Sequence, residues 1–141
     1  MAGYSPRSLG AKLGLKPNTR ARFIGAPPSV LRELAAERAM LTEASARASD
    51  LDFIHWFVEK RSELERDFAK HKARLAENGM LWVSWRKGGP KAVPPAEVNE
   101  TFVRHTGLDA GLVDIKVCAV DDVWSGLKFV YRLSERGGAK K

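Results

Sequence analysis

The sequence predicts one α/β domain with three layers, built around a mostly parallel five-stranded sheet. Residues 51–58 and 80–85 are apolar at successive positions, which is typical of strands that helices cover on both faces. A charged segment with helical periodicity separates these two strands, and such a crossover favours parallel pairing. The half-polar residues 113–120, followed by residues 127–133, predict an antiparallel pair at one edge. We therefore expect the strand order 1-2-3-5-4, with only the last strand antiparallel.

The first half of the chain contains three predicted elements. A short helix over residues 8–15 is weakened by glycines, and a first strand over residues 20–25 ends at Gly25-Ala26-Pro27-Pro28. Ser29 has the hydroxyl of a helix N-cap, and the alanine-rich segment after it predicts a helix to about residue 45.

The second half alternates strands and helices. The second strand spans residues 51–58, and a helix over residues 60–77 is expected to stop at Asn78-Gly79. The third strand covers residues 80–85, and a loop over residues 88–95 leads to a helix over residues 96–106. Because successive crossovers that step the same way are right-handed, both connecting helices should lie on one face of the sheet. We expect the helix near Ala96 and the N-terminal segment to cover the other face, with a second subunit as the alternative.

Length and composition are those of a single globular domain. The chain has 141 residues and 44% hydrophobic residues, so we expect one domain over residues 1–135 and a disordered tail over residues 136–141. The single cysteine, Cys118, cannot form an internal disulfide, which favours the reducing cytoplasm. We identify no leader peptide and no apolar segment of the ~20 residues that a membrane helix needs.

The net charge of +7 raises the question of an acidic partner. Basic residues crowd residues 1–19, a segment that we expect to pack on the domain, and a second basic group includes Arg86 and Lys87. Arg20 and Arg22 begin the first strand, whereas Arg86 and Lys87 end the third, so parallel strands put them at opposite ends of the sheet. One continuous basic stripe, and with it nucleic-acid binding, is therefore not expected.

The order of elements resembles a reduced class I methyltransferase domain, which has a Rossmann-like fold. The matching segments are LKPNTRARFIG, LDFIHWFV, LAENGMLWVSW and the closing hairpin. The whole chain also resembles a family of short bacterial proteins recorded as a domain of unknown function, on the segments YSPRSLGAKLG, FIGAP and GLVDIKVCAVDDVWSGLKF. The second resemblance implies no activity and no site residues.

Three departures from the methyltransferase pattern bear on its cofactor. The turn Gly25-Ala26-Pro27-Pro28 has one glycine, and its two prolines cannot donate amide hydrogens. We find no acidic residue to hold the cofactor ribose after the next strand. Two strands are missing from the predicted pattern, so the strand order would never reverse and the ligand crevice would be lost or reduced. These departures predict no bound cofactor and no appreciable binding of S-adenosylmethionine.

Other candidate chemistry is sparse. The spacing of His55, His71 and His105 does not match a metal site, and the first two lie on buried patterns, which favours structural histidines over metal ligands or bases. Asp121 lies in a turn-like segment, where a turn role competes with an acid/base role. Trp85 and Trp124 should meet at the carboxyl edge, where they either stack a ligand or pack loops. The candidate ligand site therefore comprises Gly25, Ala26, Ser29, Glu59, Lys60, Trp85, Arg86, Lys87, Asp121, Trp124 and Ser125.

Our leading functional hypothesis is a degenerate Rossmann-like domain that is non-catalytic or binds a small ligand. The first alternative is a methyltransferase-related enzyme with an altered cofactor pocket. The second is an interaction module for an acidic partner or nucleic acid. No membrane association is expected, and a homodimer stays open.

Overall fold

The computed structural model describes residues 8–45 and 47–135, which form one mixed six-stranded sheet with helices on both faces. The strands are β1 Arg20–Ile24, β2 Thr42–Glu43, β3 Leu51–Phe57, β4 Leu75–Arg86, β5 Leu112–Ala119 and β6 Trp124–Tyr131. Their order across the sheet is β2-β1-β3-β4-β6-β5. Strand β6 is antiparallel to both of its neighbours, and the other pairs are parallel. The basic Arg7 and the predicted tail over residues 136–141 lie outside the described residues.

Five α-helices accompany the sheet in the described part of the chain: α1 Leu9–Leu13, α2 Pro28–Glu33, α3 Ala35–Arg38, α4 Arg61–Ala73 and α5 Glu100–Asp109. Two short 3-10 turns, Gly89–Lys91 and Leu133–Glu135, lie in the connecting and terminal segments. No helix among residues 8–45 and 47–135 combines the length and apolar character that crossing a membrane requires.

The prediction of five strands was wrong, because the sheet contains a sixth strand, β2, outside β1. The predicted helix to residue 45 ends at Arg38, and the chain then turns into β2. The amide of Thr42 donates to the carbonyl of Thr19 at 2.9 Å, and the amide of Ala44 donates to Ala21 at 2.8 Å. This pairing with β1 overrides the helical propensity of the alanine-rich segment. The other five strands keep the predicted order among themselves.

Two helix boundaries also differ from the expectations. Helix α4 ends at Ala73, and Asn78-Gly79 lies inside β4 instead of stopping a helix. The cause is that Leu75 already pairs with Leu51, so β4 begins before the predicted stop. The helix expected from Ala96 begins only at Glu100, where the side chain of Asn99 accepts the amide of Phe102.

The sheet separates two apolar clusters. On one face, strand residues pack against Leu64 and Phe68 of α4 and Val103 of α5. On the other face, strand residues pack against Leu13 of α1 and Val30 of α2. The expectation that both crossover helices share a face was wrong, because β1 connects outward to β2 whereas β3 connects to β4 in the opposite direction. Helix α1 covers the second face, as expected of the N-terminal segment, and α2 covers it with α1. The expectation that the helix near Ala96 also covers this face was wrong, because α5 packs beside α4 on the first face.

Candidate functional site

The strand order reverses between β1 and β3. From β1 the chain continues to β2 on one side, and from β3 it continues to β4 on the other side. The carboxyl ends of β1 and β3 therefore form a topological switch point, where open α/β sheets bind their ligands. The sequence-based expectation of no reversal was wrong, because it missed the two-residue strand β2.

Gly25 occupies this switch point directly after β1. Its φ is 68°, in the left-handed region that favours glycine. A Cβ atom at this position would lie 3.0 Å from the carbonyl oxygen of Phe57 at the end of β3. The backbone segments leaving β1 and β3 thus approach each other closely, and a side chain here would meet both strain and a steric neighbour.

The turn after Gly25 offers few hydrogen-bond donors. Pro27 is the N-cap of α2 and Pro28 is its first residue, and no side-chain hydrogen bond caps the helix. The prediction that Ser29 caps this helix was wrong, since Ser29 lies within the first turn and is exposed. Ala26, the remaining predicted residue of this turn, is half-buried.

Glu43 is the last residue of β2, in the position where the sequence-based prediction found no acid. Its carboxylate accepts two hydrogen bonds from Arg38, at 2.7 Å from Nε and 3.2 Å from the second nitrogen. Both residues line a pocket of about 160 Å³ together with Phe23 and Leu31. The residue was missed because a two-residue strand has no periodicity to reveal it.

A second groove, of about 240 Å³, lies between β1 and α4. Its rim is charged, with Arg22 on β1 and Lys70 on α4, and Gly25 forms part of its lining. His71 also lines the groove, with its ring 4.4 Å from that of Trp56 in an edge-on contact. Burial lowers the pKa of His71 to about 4, and the cations of Lys70 and Arg22 act in the same direction. His71 is therefore neutral at physiological pH.

Arg86 holds a loop in place and is not free for a ligand. Its Nε donates to Glu59 at 3.0 Å, and its terminal nitrogens donate to the carbonyls of Pro94 and Pro95 at 2.8 and 3.2 Å. Lys60 is exposed at the start of α4 and makes no side-chain cap hydrogen bond. The predicted site residues Glu59 and Arg86 thus support the loop at the carboxyl edge of the sheet, whereas Lys60 is exposed there.

Asp121 has a turn role. Its carboxylate accepts the amides of Val123 and Trp124, each at 2.8 Å. The ammonium of Lys87 donates to the carbonyl of Asp121 at 2.7 Å. Ser125 lies in β6, directly opposite Trp85 in the ladder with β4. These contacts account for the predicted residues of the β5–β6 turn as structural groups.

The two predicted stacking residues do not come together. Trp85 is 6% exposed and belongs to the cluster under α4 and α5. Trp124 is 8% exposed and belongs to the cluster on the opposite face, where its ring lies 5.2 Å from that of Phe57. The prediction that Trp85 and Trp124 meet at this edge was therefore wrong, and of the two roles considered for them the structure agrees with packing.

His55 lies completely buried in the middle of β3. Its Nε2 is 2.7 Å from the hydroxyl of Ser84, whereas Nδ1 has no hydrogen-bond partner in the described structure. Burial lowers the pKa of His55 to about 3. Within residues 8–45 and 47–135, no group of three or more His, Cys, Asp or Glu side chains could hold a metal ion.

Comparisons with known proteins identify the fold. No family model matches the chain, and no curated protein matches it. Among solved structures, a SAM-dependent methyltransferase from Aquifex aeolicus matches with a TM-score of 0.62 and 17% identity, over 89% of each chain. The magnesium protoporphyrin IX methyltransferase from Synechocystis matches with a TM-score of 0.61 and 11% identity, over 88% of this chain and 78% of that one. The N-methyltransferase NodS from Bradyrhizobium japonicum matches with a TM-score of 0.55 and 12% identity, over 86% and 82%.

The chain has the Rossmann-like fold of these methyltransferases. The resemblance to a methyltransferase domain is thereby confirmed at the level of the fold. The resemblance to a family of short bacterial proteins stays a prediction.

Proposed function

We propose that the protein is a methyltransferase-related protein with an altered pocket, which binds the adenosine half of S-adenosylmethionine or S-adenosylhomocysteine at the switch point. The observation that carries the proposal is the reversal of strand order at β1 and β3, with Gly25 between their carboxyl ends. In this class of fold the crevice outside such a reversal is the ligand site.

The residues present fit a nucleoside better than a whole cofactor. An acid at the end of the second strand suits the ribose hydroxyls, and Glu43 occupies that position. Phe23 and Leu31 give the adjoining pocket an apolar lining. Pro27 and Pro28, in contrast, have no amide hydrogens for the carboxylate of the amino-acid half. When bound, S-adenosylmethionine carries an electrophilic methyl group on its sulfonium.

The sequence-based expectation of no cofactor rested on three departures, and the structure removes two of them. The strand order does reverse, and β2 does end in an acid. The third departure, the turn with Pro27 and Pro28, remains, and it is the reason why we propose an altered pocket. Adenosine alone should therefore retain most of the binding free energy.

Titration calorimetry with S-adenosylhomocysteine, S-adenosylmethionine and adenosine tests the proposal. We expect a Kd below about 50 μM for S-adenosylhomocysteine, which corresponds to about −6 kcal/mol. Adenosine should bind within about tenfold of that value, a difference of about 1.4 kcal/mol. Absence of heat and of any thermal shift with 1 mM ligand would refute the proposal.

Two substitutions with opposite expected effects on binding affinity test whether the ligand contacts Glu43. Glu43→Gln should weaken binding about tenfold because the amide is a poorer acceptor for ribose hydroxyls. Arg38→Gln should strengthen it because it releases the carboxylate of Glu43 from its two hydrogen bonds. Glu33→Gln, at an exposed position of α2, is the matched control. Equal effects of Glu33→Gln and Glu43→Gln would show that the nucleoside does not contact Glu43.

A further inference from the structure

Four lysines gather on the face of the sheet that α1 covers. Lys12 lies in α1 and Lys16 follows it, while Lys116 in β5 is directly opposite Lys128 in β6. Lys128 is also opposite Trp82 in the ladder with β4, and the indole Nε1 of Trp82 donates to the carbonyl of Leu13 in α1 at 2.9 Å. We call Lys12, Lys16, Lys116 and Lys128 the lysine row.

Two members of the lysine row have a structural contact. The ammonium of Lys116 donates to the carbonyl of Lys12 at 3.1 Å, and the ammonium of Lys12 lies 3.4 Å from the carbonyl of Ala119. These contacts hold α1 against β5. The ammonium groups of Lys16 and Lys128 make no hydrogen bond and no ion pair within residues 8–45 and 47–135, so packing of α1 does not explain their charges.

No ion pair compensates the charges of the lysine row in the described part of the chain. Burial lowers the pKa of the half-buried Lys128, and the charged groups that lower it further are Lys116 and Lys16. The charges that act on neighbouring Cys118 are also lysines: Lys12, Lys116 and Lys87. Like charges directly opposite one another destabilise a sheet. The arrangement costs stability in the free protein, and a bound anion would remove that cost.

We propose that the lysine row binds the phosphate backbone of a nucleic acid. Lysine ammoniums are compact point charges that suit phosphate oxygens. The aromatic residues nearby, Trp82 and Trp124, are buried and offer no surface on which bases could stack. Contacts to the backbone alone position a nucleic acid without reading its sequence, so we expect binding that is independent of sequence.

The lysine row combines Lys12 and Lys16, which belong to the N-terminal basic group considered in the sequence, with Lys116 and Lys128, which belong to neither predicted group. The lysines that do come together are distant in sequence, because α1 folds onto β5 and β6. The lysine row also differs from the proposed nucleoside pocket, which lies between β1, β2 and α2. The two proposals are therefore independent of each other.

Fluorescence anisotropy with a labelled DNA duplex of about 20 base pairs and arbitrary sequence tests the proposal. Binding by four lysines predicts that log K falls with log salt concentration with a slope of about −3 to −4, since each phosphate contact contributes about −0.9. The double variant Lys16→Gln/Lys128→Gln should reduce the magnitude of this slope by about 2. Neither ammonium group makes a hydrogen bond in the described structure, so the variant should melt at the same temperature as the wild type or higher.

The matched control is Arg47→Gln/Lys91→Gln, which removes two exposed cations elsewhere. It should leave most of the affinity and the slope unchanged. Equal losses in both double variants would mean that only net charge matters, and would overturn the assignment to the lysine row. Tighter binding of labelled polyglutamate than of the duplex would also overturn it, because the partner would then be an acidic polypeptide.

Discussion

His55 places a neutral, polar ring in an aromatic environment. The ring stacks on Phe57 with centroids 4.2 Å apart, and Phe53 and Trp82 lie around it. Its hydrogen bond to Ser84 satisfies one nitrogen and leaves Nδ1 bare. Protonation would bury a positive charge here without an acidic partner, and this is why the pKa falls to about 3.

This burial predicts a pH-dependent stability. The pKa of His55 is 6.5 in the unfolded chain and about 3 in the folded chain. At pH values between these two, His55 binds a proton in the unfolded chain but not in the folded chain. The free energy of unfolding should therefore fall as the pH decreases through this range, and His55 should contribute about 2 kcal/mol of the loss between pH 7 and pH 5. The pKa of His71, lowered to about 4 chiefly by burial, acts in the same direction.

Urea unfolding at pH 7 and pH 5 measures the effect. The variant His55→Leu/Ser84→Ala removes the titrating ring without leaving a buried hydroxyl alone, and its loss of stability should be smaller by about 2 kcal/mol. His105→Gln, at an exposed position, is the control. A loss as large in the double variant as in the wild type would show that folding does not shift the pKa of His55.

At the scale of elements, helix α1 contributes more to the packing of the sheet than its length of five residues suggests. Leu9 and Leu13 are 4% and 0% exposed and pack on the face of the sheet that the β3–α4–β4 crossover does not cover. The carbonyl of Leu13 also accepts the indole hydrogen of Trp82. The hydroxyl of Ser8 accepts the amide of Ala11 and begins the helix, and Gly14, with φ of 82°, ends it.

We predict that Leu13→Ala lowers the free energy of unfolding by about 2–5 kcal/mol, because it leaves a cavity in the cluster under α1. Leu133→Ala changes the same side chain at a position that is 68% exposed, and it should stay within about 0.5 kcal/mol of the wild type. Urea or thermal unfolding of the two variants gives the comparison. Similar stabilities would mean that α1 does not support the sheet.

At the scale of the whole molecule, the helices of the chain cover both faces of the sheet. We considered a second subunit because one face of the sheet needed further cover, and α1 and α2 cover that face. The two edge strands of the described sheet are β2 and β5, and in β5 Ile115 and Val117 are 56% and 47% exposed. An irregularity between Asp114 and Lys116 interrupts its pairing with β6, and such bulges protect edges from pairing with another chain.

We therefore predict a monomer of 15.6 kDa in solution at about 0.1 mM, measured by light scattering after gel filtration. The charged and bulged edge should prevent pairing through β5. A stable dimer at this concentration would contradict the prediction. Its disruption by Val117→Lys would place the contact at the β5 edge, and its persistence in that variant would place it elsewhere.

The layered α/β fold and five of the strands, with their relative order, are predictable from the amino acids alone. These features are predictable because their signals are local. The apolar runs at residues 51–58 and 80–85 indicate strands that are buried on both faces, whichever strands pair with them. The turn role of Asp121 was also predictable, because aspartate bonds to nearby backbone amides.

The features on which the two proposals rest depend on contacts between residues that are distant in sequence. Strand β2 has only two residues, so its sequence shows no periodicity, and it is a strand only because it pairs with β1. This short strand nevertheless reverses the strand order and places Glu43 at its carboxyl end. The lysine row brings together residues more than 100 positions apart, a proximity that charge spacing along the chain does not encode. Trp85 and Trp124 are neighbours in the ladder region but face opposite ways, because adjacent positions of paired strands alternate between the two faces.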